Sequence, residues 1–248
     1  MTEWRWIDEL REQLRERRDP WMVLEGREAV EAALAAWWDV VGMMVAEEQA
    51  WEVPVWSGLE VLRCGEVELS EWGDPARHCG VLGLARLPAE RAEVADFALG
   101  LEPEALLVVC PRTMDAEFAG RLIGLAAERG AAGVLFGAEG VSPFGSDVVA
   151  ASAGGIFRVP VRVADGGQLL RSLKAARVRL VACEAEGSQG PRVARTGRRA
   201  LVAGDPVLGL GAFWRAACDE RVVGDVLEGF ECLAALDSKP ELEAQGFE

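Results

Sequence analysis

The sequence predicts an α/β protein in two parts: a small α/β domain over residues 1–95 and a doubly wound, mostly parallel sheet over residues 100–248. Three observations carry this reading. In the second half, apolar runs of about five residues alternate with amphipathic stretches of helical length, the pattern of successive βαβ units. Composition changes along the chain, since eight of the nine tryptophans (Trp4, Trp6, Trp21, Trp37, Trp38, Trp51, Trp56, Trp72) precede residue 73 and only Trp214 follows. A stretch opened and closed by prolines, 87–103, separates the two compositions, as a connection between domains would.

The elements follow in order. Residues 3–18 have helical spacing, with Trp6, Leu10 and Leu14 on one face, and Asp19-Pro20 stops the helix. Trp21–Glu25 reads as a strand, Gly26 as a turn, 27–38 as an alanine-rich helix, and Val40–Ala46 as a second strand. The pattern then blurs until a clear strand at 80–87, and 89–99 reads as a polar helix. In the second half, 105–110 is a continuous apolar run of the parallel kind buried on both faces. Residues 115–129 form a helix that Gly130 ends. The strand 132–137, a short helix 145–151, an extended piece 157–161 and a helix 168–176 follow. Strands 179–183 and Arg199–Ala203 and a helix 211–218 complete the series. Open α/β sheets bind ligands at the carboxyl ends of their strands. This brings the loops 137–143 and 204–211, and residues 228–233, toward one pocket.

Composition excludes several function classes. No run nears the roughly 18 apolar residues of a spanning helix, and the N-terminus lacks a signal-like apolar segment, so the expectation is a cytoplasmic protein. The six scattered cysteines contain no C-x-x-C pair and read as reduced thiols. With one histidine, His78, a multi-histidine metal site is excluded, and no metal is expected. Cys218 or Cys232 could be a nucleophile only with a base, and His78 lies in the other half. The formal charge of −15 argues against strong non-specific nucleic-acid binding. Residues 158–199 run the other way. Ten basic residues (Arg158, Arg162, Arg171, Lys174, Arg177, Arg179, Arg192, Arg195, Arg198, Arg199) face three acids (Asp165, Glu184, Glu186), which reads either as a solvated face or as a phosphate-contacting strip.

Three common motifs fail. No G-x-G-x-x-G follows a strand. The 204–209 loop has P-loop spacing but Leu210 where a lysine must meet phosphate. Ser152 lacks the glycine a nucleophile elbow needs before it, since Ala150 stands there, and reads as a turn or cap residue.

Four stretches together resemble the SpoU (TrmH-type) class of RNA ribose 2′-O-methyltransferases. They are 21–34 (WMVLEGREAVEAAL), 80–86 (GVLGLAR), Ser142-Pro143 with 148–161 (VVAASAGGIFRVPV), and 201–210 (LVAGDPVLGL) running into 218–222. The resemblance implies a knotted, SPOUT-like catalytic domain behind a substrate-recognition domain. It also implies S-adenosylmethionine held in the knot loops by Gly204, Gly209, Leu210 and Leu233, and a homodimer with the site near the subunit interface. Arg158, Arg195, Arg198 and Arg199 are the candidate RNA contacts.

The residues that would do chemistry depart from that family. Its motif N-x-G-x-x-x-R aligns with Phe118, Gly120 and Gly124, so the polar asparagine and the arginine are gone. Its lysine and arginine before Ser152 are Asp147 and Ala150. Its G-x-E-G-x-G-L becomes Gly204 to Leu210 with Pro206 for the glutamate. Its E-S-L-N-V aligns with 231–235, where Cys232 and Ala234 replace the serine and asparagine. Asp237 and Pro240 interrupt the expected last helix. Residues that shape backbone persist and those that touch substrate do not. The expected function is a divergent RNA methyltransferase with weak or no activity. The alternative is an inactive relative serving as a dimeric RNA- or protein-binding module.

Overall fold

A computed structural model describes residues 5–16, 20–53, 58–72, 74–184 and 196–223. Two sheets organise it. The first has four strands in the order β1-β4-β2-β3: β1 is Trp21–Glu25, β2 Val40–Ala46, β3 Glu60–Cys64 and β4 Val81–Arg86. β4 runs antiparallel to both of its neighbours, β1 and β2, whereas β3 joins β2 in parallel. Helices α1 (Arg5–Glu16), α2 (Arg27–Ala35), α3 (Glu66–Ser70) and α4 (Pro75–His78) surround it.

The second sheet has six strands, all parallel, in the order β10-β8-β9-β5-β6-β7. They are β5 (Leu106–Cys110), β6 (Gly133–Gly137), β7 (Val161–Ala164), β8 (Arg179–Glu184), β9 (Arg199–Ala203) and β10 (Glu220–Val223). Helices α5 (Val94–Leu99), α6 (Ala116–Glu128), α7 (Ser146–Ala151), α8 (Gly166–Ala175) and α9 (Ala212–Ala217) connect and cover them. After β7 the chain crosses to the far side, lays down β8, and returns to insert β9 beside β5. The expected doubly wound, mostly parallel sheet is what is observed.

Strand alternation divides the core. Val108 and Cys110 of β5 face one apolar cluster while Leu107 and Val109 face another, so this strand is dry on both sides. The first of these clusters continues through Ile123, Ile156 and Phe157 to Met22, Leu24 and Val30, so the two sheets share one core. A third cluster, with Trp6, Leu10, Met44 and Leu82, fills the other face of the first sheet. The early tryptophans serve mainly this packing. Trp6 and Trp51 are buried, while Trp21 and Trp72 lie under the guanidinium groups of Arg86 and Arg11. Among the described residues, Trp37 is exposed, at 81 %.

Three expectations need correction. The helix from Arg27 ends at Ala35 and not at Trp38, because Trp37 takes a left-handed φ of 61° that no helix continues. The blurred region holds β3, α3 and α4; these segments are too short for periodicity to register. The piece 157–161 is not extended throughout. Gly154 (φ 76°) turns the chain into a 3-10 turn, Gly155–Phe157, and the strand starts only at Val161. Among the described residues, no helix is long and apolar enough to cross a membrane, and no cluster of His, Cys, Asp and Glu could hold a metal ion.

Candidate functional site

The carboxyl ends of four adjacent parallel strands, β9, β5, β6 and β7, open onto a cavity of about 430 Å³. Each strand contributes the residues that follow it. β5 supplies Pro111 and Arg112, β6 Glu139, β7 Asp165 to Gly167, and β9 the loop from Gly204 to Gly211. Phe213 and Trp214 of α9 close one side. The volume lies within the small-molecule range. Its chemistry is mixed: an apolar wall (Leu208, Leu210, Phe213, Trp214), one guanidinium and two carboxylates.

The β9 loop is held by its own aspartate. Asp205 and Gly209 pair across the turn, with the Gly209 N–H donating to the Asp205 carbonyl at 2.8 Å and the reverse bond at 3.2 Å. The Asp205 carboxylate accepts from the N–H groups of Val207 and Leu208, both at 2.9 Å, and from Met114 at 2.8 Å. Burial disfavours its charge, but these three donors and the nearby Arg112 outweigh that and hold its pKa below the usual carboxylate value. Asp205 is committed to shaping the loop and is not placed as a general base. Gly209 sits at φ 65°, where a side chain is strained, and a Cβ on Gly204 would come within 2.7 Å of the Leu210 nitrogen. The loop needs both glycines.

Gly204, Gly209 and Leu210 line this cavity, together with Glu139 from the 137–143 loop. Leu233 and Ala234 lie outside the described residues, as do residues 228–232 and Arg195. Pro206 is exposed on the turn, and Val207 and Leu208 beside it are also exposed.

Phe118 and Gly124 do not line the cavity. Phe118 packs half-buried against the shared core, and its N–H is capped by Asp115. Gly124 faces the backbone of Ser152, whose carbonyl oxygen would lie 2.9 Å from a Cβ placed there. An arginine at 124 is therefore not merely absent. The chain has closed the space it would occupy. Ser152 itself is buried, donating its hydroxyl to the Val149 carbonyl at 2.7 Å, which is the turn role expected of it.

Of the basic residues in 158–199, Arg192 and Arg195 lie outside the described residues, and several of the others are engaged within the fold. Arg199 is fully buried in β9, because its side chain points into the sheet's packed face, so it is withdrawn as a surface RNA contact. Arg198 donates to the carbonyls of Ala176, Leu99 and Leu101, satisfying helix-end acceptors. Arg162 stacks over Phe97, Arg179 pairs with Glu220 at 2.7 Å, and Lys174 pairs with Asp219 at 3.1 Å. Arg158, Arg171 and Arg177 are exposed.

Sequence reasoning missed Arg112, Asp165, Phe213 and Trp214. The signal for Arg112 was available, since it stands two residues past a strand buried on both faces, at the end where ligands bind. Cys110 just before it is no nucleophile, as complete burial pushes its thiol pKa far up.

No protein-family profile matches the chain, and no curated protein matches its sequence. Solved structures do. The SpoU methyltransferase AviRb from Streptomyces viridochromogenes, in complex with AdoMet, is similar with a TM-score of 0.76 at 17 % identity, over 92 % of this chain and 95 % of that one. An rRNA methyltransferase from Sinorhizobium meliloti gives 0.74 at 21 % identity, over 95 % of each chain. A TrmH-family RNA methyltransferase from Porphyromonas gingivalis, described as putative, gives 0.73 at 19 % identity, over 95 % and 98 %. Each likeness covers more than nine-tenths of this chain. This chain has the fold of the SpoU-type RNA methyltransferases.

Proposed function

We propose that the chain binds S-adenosylmethionine in the cavity at the ends of β9, β5, β6 and β7, and that it is a divergent SpoU-type protein with weak or no methyl transfer. The observation that carries the reading is the fit between that cavity and the cofactor's chemistry. S-adenosylmethionine bears two positive groups and one carboxylate; the cavity offers Glu139 and Asp165 against one Arg112. Leu208, Leu210, Phe213 and Trp214 give its adenine an apolar wall, and the Gly204–Gly209 turn lets backbone approach closely.

When bound, the cofactor supplies an electrophilic methyl group. The protein's part in a transfer to a ribose hydroxyl is to bind, align and remove a proton. Binding and alignment have residues. Proton removal would fall to a carboxylate: the described lining has no His, Lys, Ser or Asn, Asp165 already caps α8 through the Gln168 N–H at 2.9 Å, and Glu139 is the other lining carboxylate. Arg112 is the one cavity residue suited to polarising an oxygen, in place of the family's arginine.

The reading extends to a homodimer in a knotted fold, with residues 1–95 as the recognition part and Leu233 completing the cofactor contacts. Exposed Leu208 and Phe213 on the cavity wall, with exposed Val207 next to Leu208 in sequence, support a covering second copy. The alternative, a dimeric binding module without catalysis, is favoured by the closed space at Gly124. The test is incubation with methyl-labelled S-adenosylmethionine and total RNA. The expected result is label bound to protein in equilibrium dialysis with little or none in RNA. Label transferred to RNA at many turnovers would replace weak activity with a full enzyme; label in neither would remove the cofactor.

A further inference from the structure

A second cavity, of about 280 Å³, opens where the two sheets meet. Trp38 and Pro88 line it from the first, and Phe144, Phe157, Arg158 and Arg162 from the second. It adjoins the start of β7, whereas the first cavity lies beyond that strand's end. We propose that this cavity binds a nucleotide, its base against the aromatic wall and its phosphate at Arg158. The proposal does not depend on the methyltransferase reading.

Charge is the first argument. In a protein of net charge −15, this cavity is lined by two arginines and by no acid among its described residues. Such a local reversal selects an anion. Arg162 is fixed there by the Val161 carbonyl at 3.2 Å and by stacking over Phe97 at 4.9 Å. Arg158 is exposed and follows directly on the 3-10 turn, so its planar guanidinium can meet a phosphate at the rim.

Shape is the second. Trp38 and Phe157 meet edge to face, 5.1 Å between centroids and 87° between planes. Two perpendicular rings form a corner, so a flat ring can lie on one while abutting the other. Phe144 adds a third aromatic surface, and Trp37 beside Trp38 projects a fourth into solvent. Aromatic faces with arginine are the general means of holding an unpaired base. The volume sits near the lower limit of small-ligand sites, about 300 Å³, so it suits one nucleotide and not a longer segment.

The test titrates GMP, guanosine, inorganic phosphate and a short oligoguanylate into the full chain, read by tryptophan fluorescence and calorimetry. GMP is expected to saturate, with guanosine and phosphate each about tenfold or more weaker. Arg158→Ala should bring GMP down to the affinity of guanosine without changing the melting temperature, because Arg158 is exposed. Trp38→Leu should weaken both GMP and guanosine. Gly211→Phe, which fills the first cavity, should leave GMP affinity unchanged. An oligonucleotide that binds more tightly than GMP assigns the site to RNA; equal or weaker binding assigns it to free nucleotides. No saturation by about 10 mM GMP, unchanged affinity in Arg158→Ala, or loss in Gly211→Phe would each overturn the proposal, and an acidic aromatic peptide binding where GMP does not would reassign it.

Discussion

The Met114 backbone N–H donates to the Asp205 carboxylate at 2.8 Å, across 91 positions of sequence. This bond ties the loop after β9 to the loop after β5, the two central strands beneath the cavity. Asp205→Asn keeps one acceptor oxygen for the Val207 and Leu208 N–H groups but turns an NH₂ toward Met114. The expected cost is about 1–3 kcal/mol, measured by urea unfolding at pH 7.

The same group gives a pH dependence. The folded pKa of Asp205 lies below its ordinary value of 3.8. Its contribution is therefore complete above that ordinary value and is lost as pH falls through the folded one. The stability gap between the wild type and Asp205→Asn should shrink from pH 7 to about pH 3. A gap that stays constant would show that the charge contributes nothing.

Glycines 120 and 124 let α6 pack closely on α7 and the turn after it. A Cβ at 120 would meet the Val148 carbonyl oxygen and the Ala151 Cβ, both at 2.5 Å, whereas at 124 the nearest atom is 2.9 Å away. Alanine's helix preference, about 1 kcal/mol, partly offsets either strain. Gly120→Ala should therefore cost about 3 kcal/mol and Gly124→Ala about 1 kcal/mol. Gly124→Arg, which restores the family's residue, should destabilise further and confer no activity, as thermal melts and a transfer assay would show.

Arg77 holds the first sheet to the second half. Its guanidinium lies 2.7 Å from both Glu25 and Asp147 and donates to the Ser146 hydroxyl at 3.1 Å. Glu25 is the buried partner, at 11 % side-chain exposure against 51 % for Asp147. Arg77→Ala leaves Glu25 without this cation and should cost about 1–2 kcal/mol, while Asp147→Ala should cost less than about 1 kcal/mol. Equal losses in the two variants would contradict the assignment.

Arg198 and Arg158 should separate stability from binding. Arg198 satisfies carbonyls at the ends of α5 and α8, so Arg198→Ala should lower the melting temperature and leave the salt dependence of any RNA binding unchanged. Filter binding across a salt series, beside the melts, checks both halves of this statement.

Much of this architecture was legible in the chain. Val108 and Cys110 alternate with Leu107 and Val109, and such a run reads as a strand buried on both faces whatever surrounds it. Asp115 and Gly130 bracket α6 as cap residues. What escaped reading depends on tertiary contact. β3 is half exposed and finds its place only by pairing with β2. Arg199 reads as a surface cation until its strand is seen at the centre of a sheet. The closure of Gly124 by Ser152 is invisible to spacing, since the two meet through a helix crossing. The cavity's glycines could be read as backbone requirements and Arg112 from its place just past a buried strand, whereas Trp214 becomes a site residue only when four strand ends converge.

The central claim is that the cavity at those strand ends holds S-adenosylmethionine. Gly211 lines it with φ −59°, a value any residue adopts, and a Cβ there has no neighbour within 4 Å. Gly211→Phe should therefore fold normally and fill the space. Calorimetric titration should show one cofactor per chain with Kd in the range of about 1 μM to 1 mM for the wild type, and no binding for Gly211→Phe at an unchanged melting temperature. No heat from the wild type at millimolar cofactor, or equal binding by both proteins, would contradict it.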